Sequence, residues 1–322
     1  MLVGLLVVLA AELSLRALAG RLPEPVGWKQ RDLGLVVERM EAVARSGRSV
    51  DVAFLGSSAA TFAFEPDELA DETGLRGFVA GMPGASVTSL DLWAREMVVP
   101  LLRPRMVVIA LTSREMNANA EPQRRFREGY LDSPERRRLL GTETAGDRLR
   151  RIASEHSAVI RYRSYLRRPA AFVKNFVDPT KLEGPIEYGP NGEPRWARAD
   201  APYSIPVMEP WRHGDLTDFD VTEEAPSLDR LIRFLRTEGI EVVLVELPVV
   251  ESLYVGYHPR GAADLRAFRT ALAERADMQD VPLVGAPTLE PIETWFVDDI
   301  HLNRAGAARF TRWLARRLPT PS

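Results

Sequence analysis

The run MVVIAL at 106–111 constrains the fold more than any other feature: six apolar residues in succession, half of them β-branched, between Arg105 and Thr112. A strand with one wet face alternates apolar and polar side chains. An unbroken run therefore implies burial on both faces, as in a parallel sheet covered by helices. Residues 50–55, ending at Gly56, are a compact, mostly apolar strand candidate, 242–247, stopped by Pro248, are another, and 77–80 and 282–284 are shorter ones. Helical spacing fills the intervals at about 87–100, 226–238 and 262–277. Before the first strand, 32–46 carries Leu33, Val36, Val37, Met40 and Val43 on one face; the closing helix turns Ala307, Phe310, Trp313 and Leu314 inward. Strands alternating with helices predict βαβ units with right-handed crossovers. The expected fold is α/β, a doubly wound, mainly parallel five-stranded sheet flanked by helices.

More than a hundred residues separate the third and fourth strands, far more than one crossover needs. Within that stretch 121–168 reads as helical and Arg-rich, and 169–225 is rich in Pro, Gly and aromatics. Asn191-Gly192 between Tyr188 and Trp196 is a hairpin signal. The region 121–225 is expected to be a large insertion covering one sheet edge near the C-terminal strand ends.

At the other end of the chain, residues 1–11 (MLVGLLVVLAA) are uninterrupted apolar until Glu12 and Arg16 break the run. A membrane-spanning helix needs roughly 20 such residues, so the length is nearer that of a signal-peptide core. Ala17-Leu18-Ala19 before Gly20 fits a cleavage site, although no basic residue precedes the core. The reading is a signal peptide or N-terminal membrane anchor over 1–20, which places the protein outside the cytoplasm, secreted or anchored. The alternative is a buried N-terminal helix. Forty-two basic against 45 acidic side chains give a net charge of −3, which removes the electrostatic basis for broad nucleic-acid binding. With no cysteine there is no disulfide framework, zinc-thiolate site or cysteine nucleophile.

Ligands of open α/β sheets bind beyond the C-terminal strand ends. The first strand runs there into Gly56-Ser57-Ser58 with a helical pattern just after, which puts a serine at the sheet top beside the N–H groups of a helix start. A serine in that position is also a common N-cap. The second signal is Asp298-Asp299-Ile300-His301, just ahead of the last helix. An Asp three residues before a His can accept the imidazole N–H and fix its tautomer, which leaves the other nitrogen to take a proton from a serine hydroxyl.

Three blocks resemble the SGNH (GDSL-like) hydrolases, most of all their membrane-anchored, cell-envelope branch. FLGSSAATFAFEPDEL is similar to the first block and matches Ser58 to the nucleophile; GFVAGMPGAS is similar to the second and matches Gly84 to an oxyanion-hole glycine. FVDDIHLNRAGA is similar to the last and matches Asp298 and His301 to the acid and base. The resemblance implies a flavodoxin-like SGNH fold. It assigns 51–318 to the catalytic domain with its insertion, and composition and helical spacing make 21–50 a linker and amphipathic helix.

The third block departs from the family. Where a side-chain asparagine would donate to the oxyanion, VVIALTSREMNAN offers Ser113, Arg114 and Glu115; Asn117 and Asn119 follow too late to be assigned the role. Arg114 is the substitute donor considered, a surface arginine paired with a carboxylate being the other reading. Val79 also stands where the branch often shows asparagine.

These matches imply a serine esterase that hydrolyses acyl, in particular acetyl, esters through Ser58, His301 and Asp298 and an acyl-enzyme. The N–H groups of Ser58 and Gly84 form the oxyanion hole, with Arg114 as a further donor. Two alternatives stand beside it: an O-acyltransferase acting on a cell-envelope polysaccharide, and a non-catalytic envelope binding protein on the same fold. The expected partners are an acyl-ester substrate, such as an acylated carbohydrate, and a membrane through the N-terminus, with no nucleic acid. Nothing in the residues calls for a metal or an organic cofactor.

The remaining candidates have blander readings. Asp299 is expected to cap a loop, His156 and His213 to be structural or solvated, and His258 either to border the cleft or to be structural. Trp196, Tyr203 and Trp211 stack on sugar rings or anchor the insertion. Arg136, Arg137 and Arg138 and the Arg-rich stretch 148–168 read as solvated helix faces.

Overall fold

The unbroken apolar run 106–111 does become a fully buried strand. The computed structural model describes residues 2–19, 28, 30–117, 121–167, 187–195, 216, 219–222, 224–290 and 292–319. Along the chain the strands are β1 (Val52–Leu55), β2 (Gly77–Val79), β3 (Met106–Leu111), β4 (Glu187–Tyr188), β5 (Pro194–Arg195), β6 (Glu241–Glu246) and β7 (Leu283–Val284). Five of them form one parallel sheet in the order β2-β1-β3-β6-β7. All of β1, β2 and β3 is buried. The chain starts at β1, winds outward to β2, then returns past β1 to β3. The switch point thus lies between β1 and β3, where doubly wound sheets open a crevice at their C-terminal edge. This is the architecture that the SGNH resemblance implies.

The strand boundaries have local causes. β1 begins at Val52 because Asp51 is otherwise engaged: its carboxylate accepts from the Arg76 backbone N–H (2.9 Å), and its carbonyl accepts from Arg105 and Met106. The helical pattern at 87–100 resolves into an α-helix, Val87–Trp93, a wider π-helical turn, Ala94–Val98, and a last α-turn, Val99–Leu102. Pro100 lacks the N–H an α-helix needs and crowds the preceding turn, and the widened turn absorbs the conflict. The helices Glu224–Thr237, Ala262–Gln279 and Arg304–Ala315 form as their periodicity predicts. Phe54, Phe64 and Phe310 centre the core, with the first two rings stacked 4.1 Å apart and Phe310 5.6 Å from Phe64.

Two compact units are present: Met1–Gly34 with Gly129–Pro185, and Leu35–Glu128 with Ile186–Ser322. The larger unit holds the sheet. Most of the helix Arg31–Ser46 belongs to it, and Val36, Val37, Met40 and Val43 are buried there. Its β4–β5 hairpin turns at Asn191-Gly192, as the sequence signals. The Asn191 carbonyl accepts from the N–H of Val79 (2.8 Å), so the hairpin tip covers the edge strand β2 at its C-terminal end. Trp196, Tyr203, Trp211, His213 and Asn119 lie outside the described residues.

In the smaller unit the helix Leu2–Leu18 leaves Val3, Leu6, Val7, Val8, Leu9 and Leu13 more than half exposed. Glu12 is its polar anchor, accepting from the N–H groups of Ala158 (2.8 Å) and Val159 (3.0 Å) and from Ser157 Oγ (2.9 Å) at the start of the helix Ala158–Arg161. Among the described residues no helix is long and apolar enough to cross a membrane. One expectation for the insertion fails. Arg137 is no free solvated side chain but clamps the buried Asp147 bidentately (2.8 and 3.0 Å), because that carboxylate closes the capping box of the helix Ala145–His156 and needs a counter-charge.

Candidate active site

At the C-terminal edge of the sheet, β1 ends and the chain turns at once into the short helix Ser58–Thr61. Gly56 makes the turn feasible: a Cβ there would strike the Ala110 carbonyl of β3 and the Ala60 methyl. The N-cap is Ser57, whose Oγ accepts from the Ala59 N–H (3.2 Å). Ser58 is therefore the first helical residue, and its own hydroxyl is left for another partner.

That partner is His301, 243 positions away, with Nε2 3.0 Å from Ser58 Oγ. The other ring nitrogen, Nδ1, lies 2.9 and 3.1 Å from the two Asp298 oxygens. The loop carrying both is cinched at its base by the antiparallel bridge between Phe296 and Leu302 and by Val297 N–H donating to the His301 carbonyl (2.8 Å). Asn303 then caps the closing helix through Gly306 N–H (2.8 Å). Gly306 is glycine for a steric reason, since a Cβ would meet the Trp295 carbonyl. Phe62 packs edge-on against the imidazole at 5.1 Å.

The electrostatics follow from these bonds. Burial alone would push the Asp298 pKa up. The charge and hydrogen bond of His301, with the N–H groups of Ile300 (3.0 Å) and His301 (2.8 Å), outweigh it and hold the carboxyl well below the usual carboxylate range. An ionised Asp298 keeps the proton on Nδ1, which leaves the Nε2 lone pair directed at Ser58.

The sequence names two backbone donors for an oxyanion, the N–H groups of Ser58 and Gly84. The Ser58 N–H opens a helix and has no intrahelical acceptor. Gly84 sits at φ +68° in the loop between β2 and the helix Val87–Trp93. Among the described residues neither N–H is engaged by a protein acceptor. Arg114 is half-buried on the turn after β3, its backbone N–H donating to Thr112 Oγ1 (3.3 Å). Asp299 is buried, its carbonyl accepting from Val250 N–H (2.8 Å), and His156 is an exposed helix-end residue.

The sequence names the polar groups after β3 but not the bonds that join them. His258 follows its structural reading and is buried: Nε2 lies 2.9 Å from Ser113 Oγ and Nδ1 lies 3.1 Å from the Tyr254 carbonyl. Desolvation lowers its pKa, which favours the neutral ring, and burial pushes the Tyr254 phenol up to about 12. Glu115, only 1% exposed, accepts from Ser57 Oγ, from the Thr112 N–H (2.6 Å) and from Thr112 Oγ1 (2.6 Å). Asn117 is fully buried, and its Oδ1 accepts from the Asp220 N–H (3.1 Å). The available signal was the abrupt change from six apolar residues to Thr-Ser-Arg-Glu at the end of a central strand.

Fold and site together define a Ser–His–Asp constellation at the switch point of a doubly wound parallel sheet. No protein-family profile matches the chain, and no curated protein matches it. Solved structures similar to it include a GDSL-like lipase from Bacteroides thetaiotaomicron (11% identity, 94% of this chain and 95% of that chain, TM-score 0.40). Others are a putative acylhydrolase from Bacteroides fragilis (12% identity, 87% and 95%, TM-score 0.40) and a carbohydrate acetylesterase from Sinorhizobium meliloti (11% identity, 84% and 98%, TM-score 0.38).

Proposed function

We propose that the chain is a serine esterase that hydrolyses acyl esters, acetyl esters among them, through Ser58, His301 and Asp298. The observation that carries this reading is the relay from Asp298 through both imidazole nitrogens to a serine hydroxyl 3.0 Å away. Ser58 Oγ adds to the ester carbonyl as its proton passes to His301 Nε2. Asp298 stabilises the imidazolium, and the N–H groups of Ser58 and Gly84 receive the oxyanion. Collapse expels the alcohol, protonated by His301, and leaves an acyl-serine. Water, deprotonated by the same imidazole, then releases the acid and restores the hydroxyl. Arg114 is the proposed third donor in place of a side-chain amide. The test is hydrolysis of aryl acetates and acetylated sugars by wild type and Ser58→Ala. Serine-dependent acetate release supports the reading, and equal rates overturn it.

The same proposal places the protein outside the cytoplasm, associated with a membrane through the helix Leu2–Leu18. The support is its row of exposed apolar side chains. A C-terminal reporter active only in the cytoplasm would contradict it.

A further inference from the structure

We propose that Glu115 is a positioning residue that sets the attack geometry of Ser58 by holding the hydroxyl of Ser57. One residue here bridges three chain segments close to Ser58 in sequence or fold: the β1 exit, the β3 exit and the start of the helix Val87–Trp93. The Glu115 carboxylate takes the Ser57 hydroxyl from the β1 exit and both the N–H and hydroxyl of Thr112 from the β3 exit. Its backbone carbonyl takes the Val87 N–H (3.0 Å), where the Gly84 loop enters its helix.

Three donors meet an acceptor-only group, which a carboxylate matches and no neutral side chain does. The consequence runs through Ser57. With its proton committed to Glu115, the Ser57 oxygen must present a lone pair to the Ala59 N–H, which fixes the first turn of the helix that begins with Ser58. Glutamine at 115 keeps the Thr112 bonds through its oxygen but turns an N–H toward Ser57. The hydroxyl must then accept twice, and its hold on the helix start weakens. Small displacements of a nucleophile are expensive, so the cost falls on turnover rather than on substrate binding.

The inference rests on the esterase reading for its kinetic readout, and the experiment separates the two. Ester hydrolysis and the rate of fluorophosphonate labelling are measured for wild type, Glu115→Gln, Ser57→Ala and the double variant. In labelling, Ser58 Oγ bonds to phosphorus, fluoride leaves and His301 takes the proton. The expected result is a roughly 10- to 100-fold loss of kcat and labelling rate in each single variant, with KM within about threefold. The double variant should lose no more than the worse single one. Ser57→Asp combined with Glu115→Gln should recover rate, because the introduced carboxylate would cap the Ala59 N–H while accepting from the new amide. A Glu115→Gln enzyme at wild-type rate, or losses that multiply in the double variant, overturns the proposal. An inert wild type overturns the esterase reading instead. In that case amide exchange at Ala59 decides the link, which fails if exchange is no faster in Glu115→Gln.

Discussion

A carboxyl as buried as Asp298 would ordinarily hold its proton near neutrality, and only the imidazole and two backbone N–H groups keep it ionised. Its interaction with His301 is fully present above the ordinary carboxylate range and is lost only in strong acid. Asp298→Asn keeps the shape and loses the charge. We expect kcat to fall by roughly 10⁴-fold with little change in folding, as measured by steady-state kinetics beside a thermal melt. Glu65 behaves in the opposite way. Burial raises its pKa from 4.5 to about 7, helped by Glu193, Asp67 and Glu68 and opposed by Arg304. The folded state then binds the proton more tightly than the unfolded one, so stability from this group declines as pH rises from 4.5 to about 7. Glu65→Gln should therefore stabilise the protein at pH 8, on the order of 1 kcal/mol given the solvent still reaching the group, and do nothing at pH 4. Paired melts at the two pH values check the sign.

The turn from β1 into the Ser58 helix depends on one missing side chain. Gly56→Ala drives a methyl into β3, and overpacking of this kind costs about 1–3 kcal/mol. On the proposed esterase reading activity should fall further than stability, because the same shift moves Ser58; melts and kinetics on one preparation compare the two. In the smaller unit, Glu12 is lowered to about 2 by the N–H groups of Val159 and Ala158. Its contribution is present above 4.5 and disappears as pH falls through about 2, so amides of Ala158–Arg161 should lose exchange protection over that window. Elements like these were unequally legible in the sequence. Strands β1, β3 and β6 announced themselves because burial on both faces leaves apolar runs. Asp298 and His301 were readable because three positions put them on one loop. The Glu115–Ser57 bond spans 58 positions, and each partner in isolation resembles any polar loop residue.

At the scale of the whole molecule, the sequence predicted where the two halves of the site would meet. A strand end and a helix start 243 positions apart converge because every strand of the main sheet points the same way. What it did not yield was the partition of the chain into two units, in the smaller of which Glu12 meets the N–H groups of Ala158 and Val159, 146 and 147 positions away. The proposed membrane association through the helix Leu2–Leu18 makes a prediction of its own. Replacing Leu6, Val8, Leu9 and Leu13 with glutamine should release it from lipid vesicles in a flotation assay while leaving ester hydrolysis unchanged.

The central claim is that Ser58 is a nucleophile activated by His301. Mass spectrometry after fluorophosphonate treatment tests it most directly. The account predicts one adduct, on the peptide containing Ser58, lost in Ser58→Ala and strongly slowed in His301→Ala. No adduct on that serine in the folded wild-type protein, or equal labelling without His301, would contradict it.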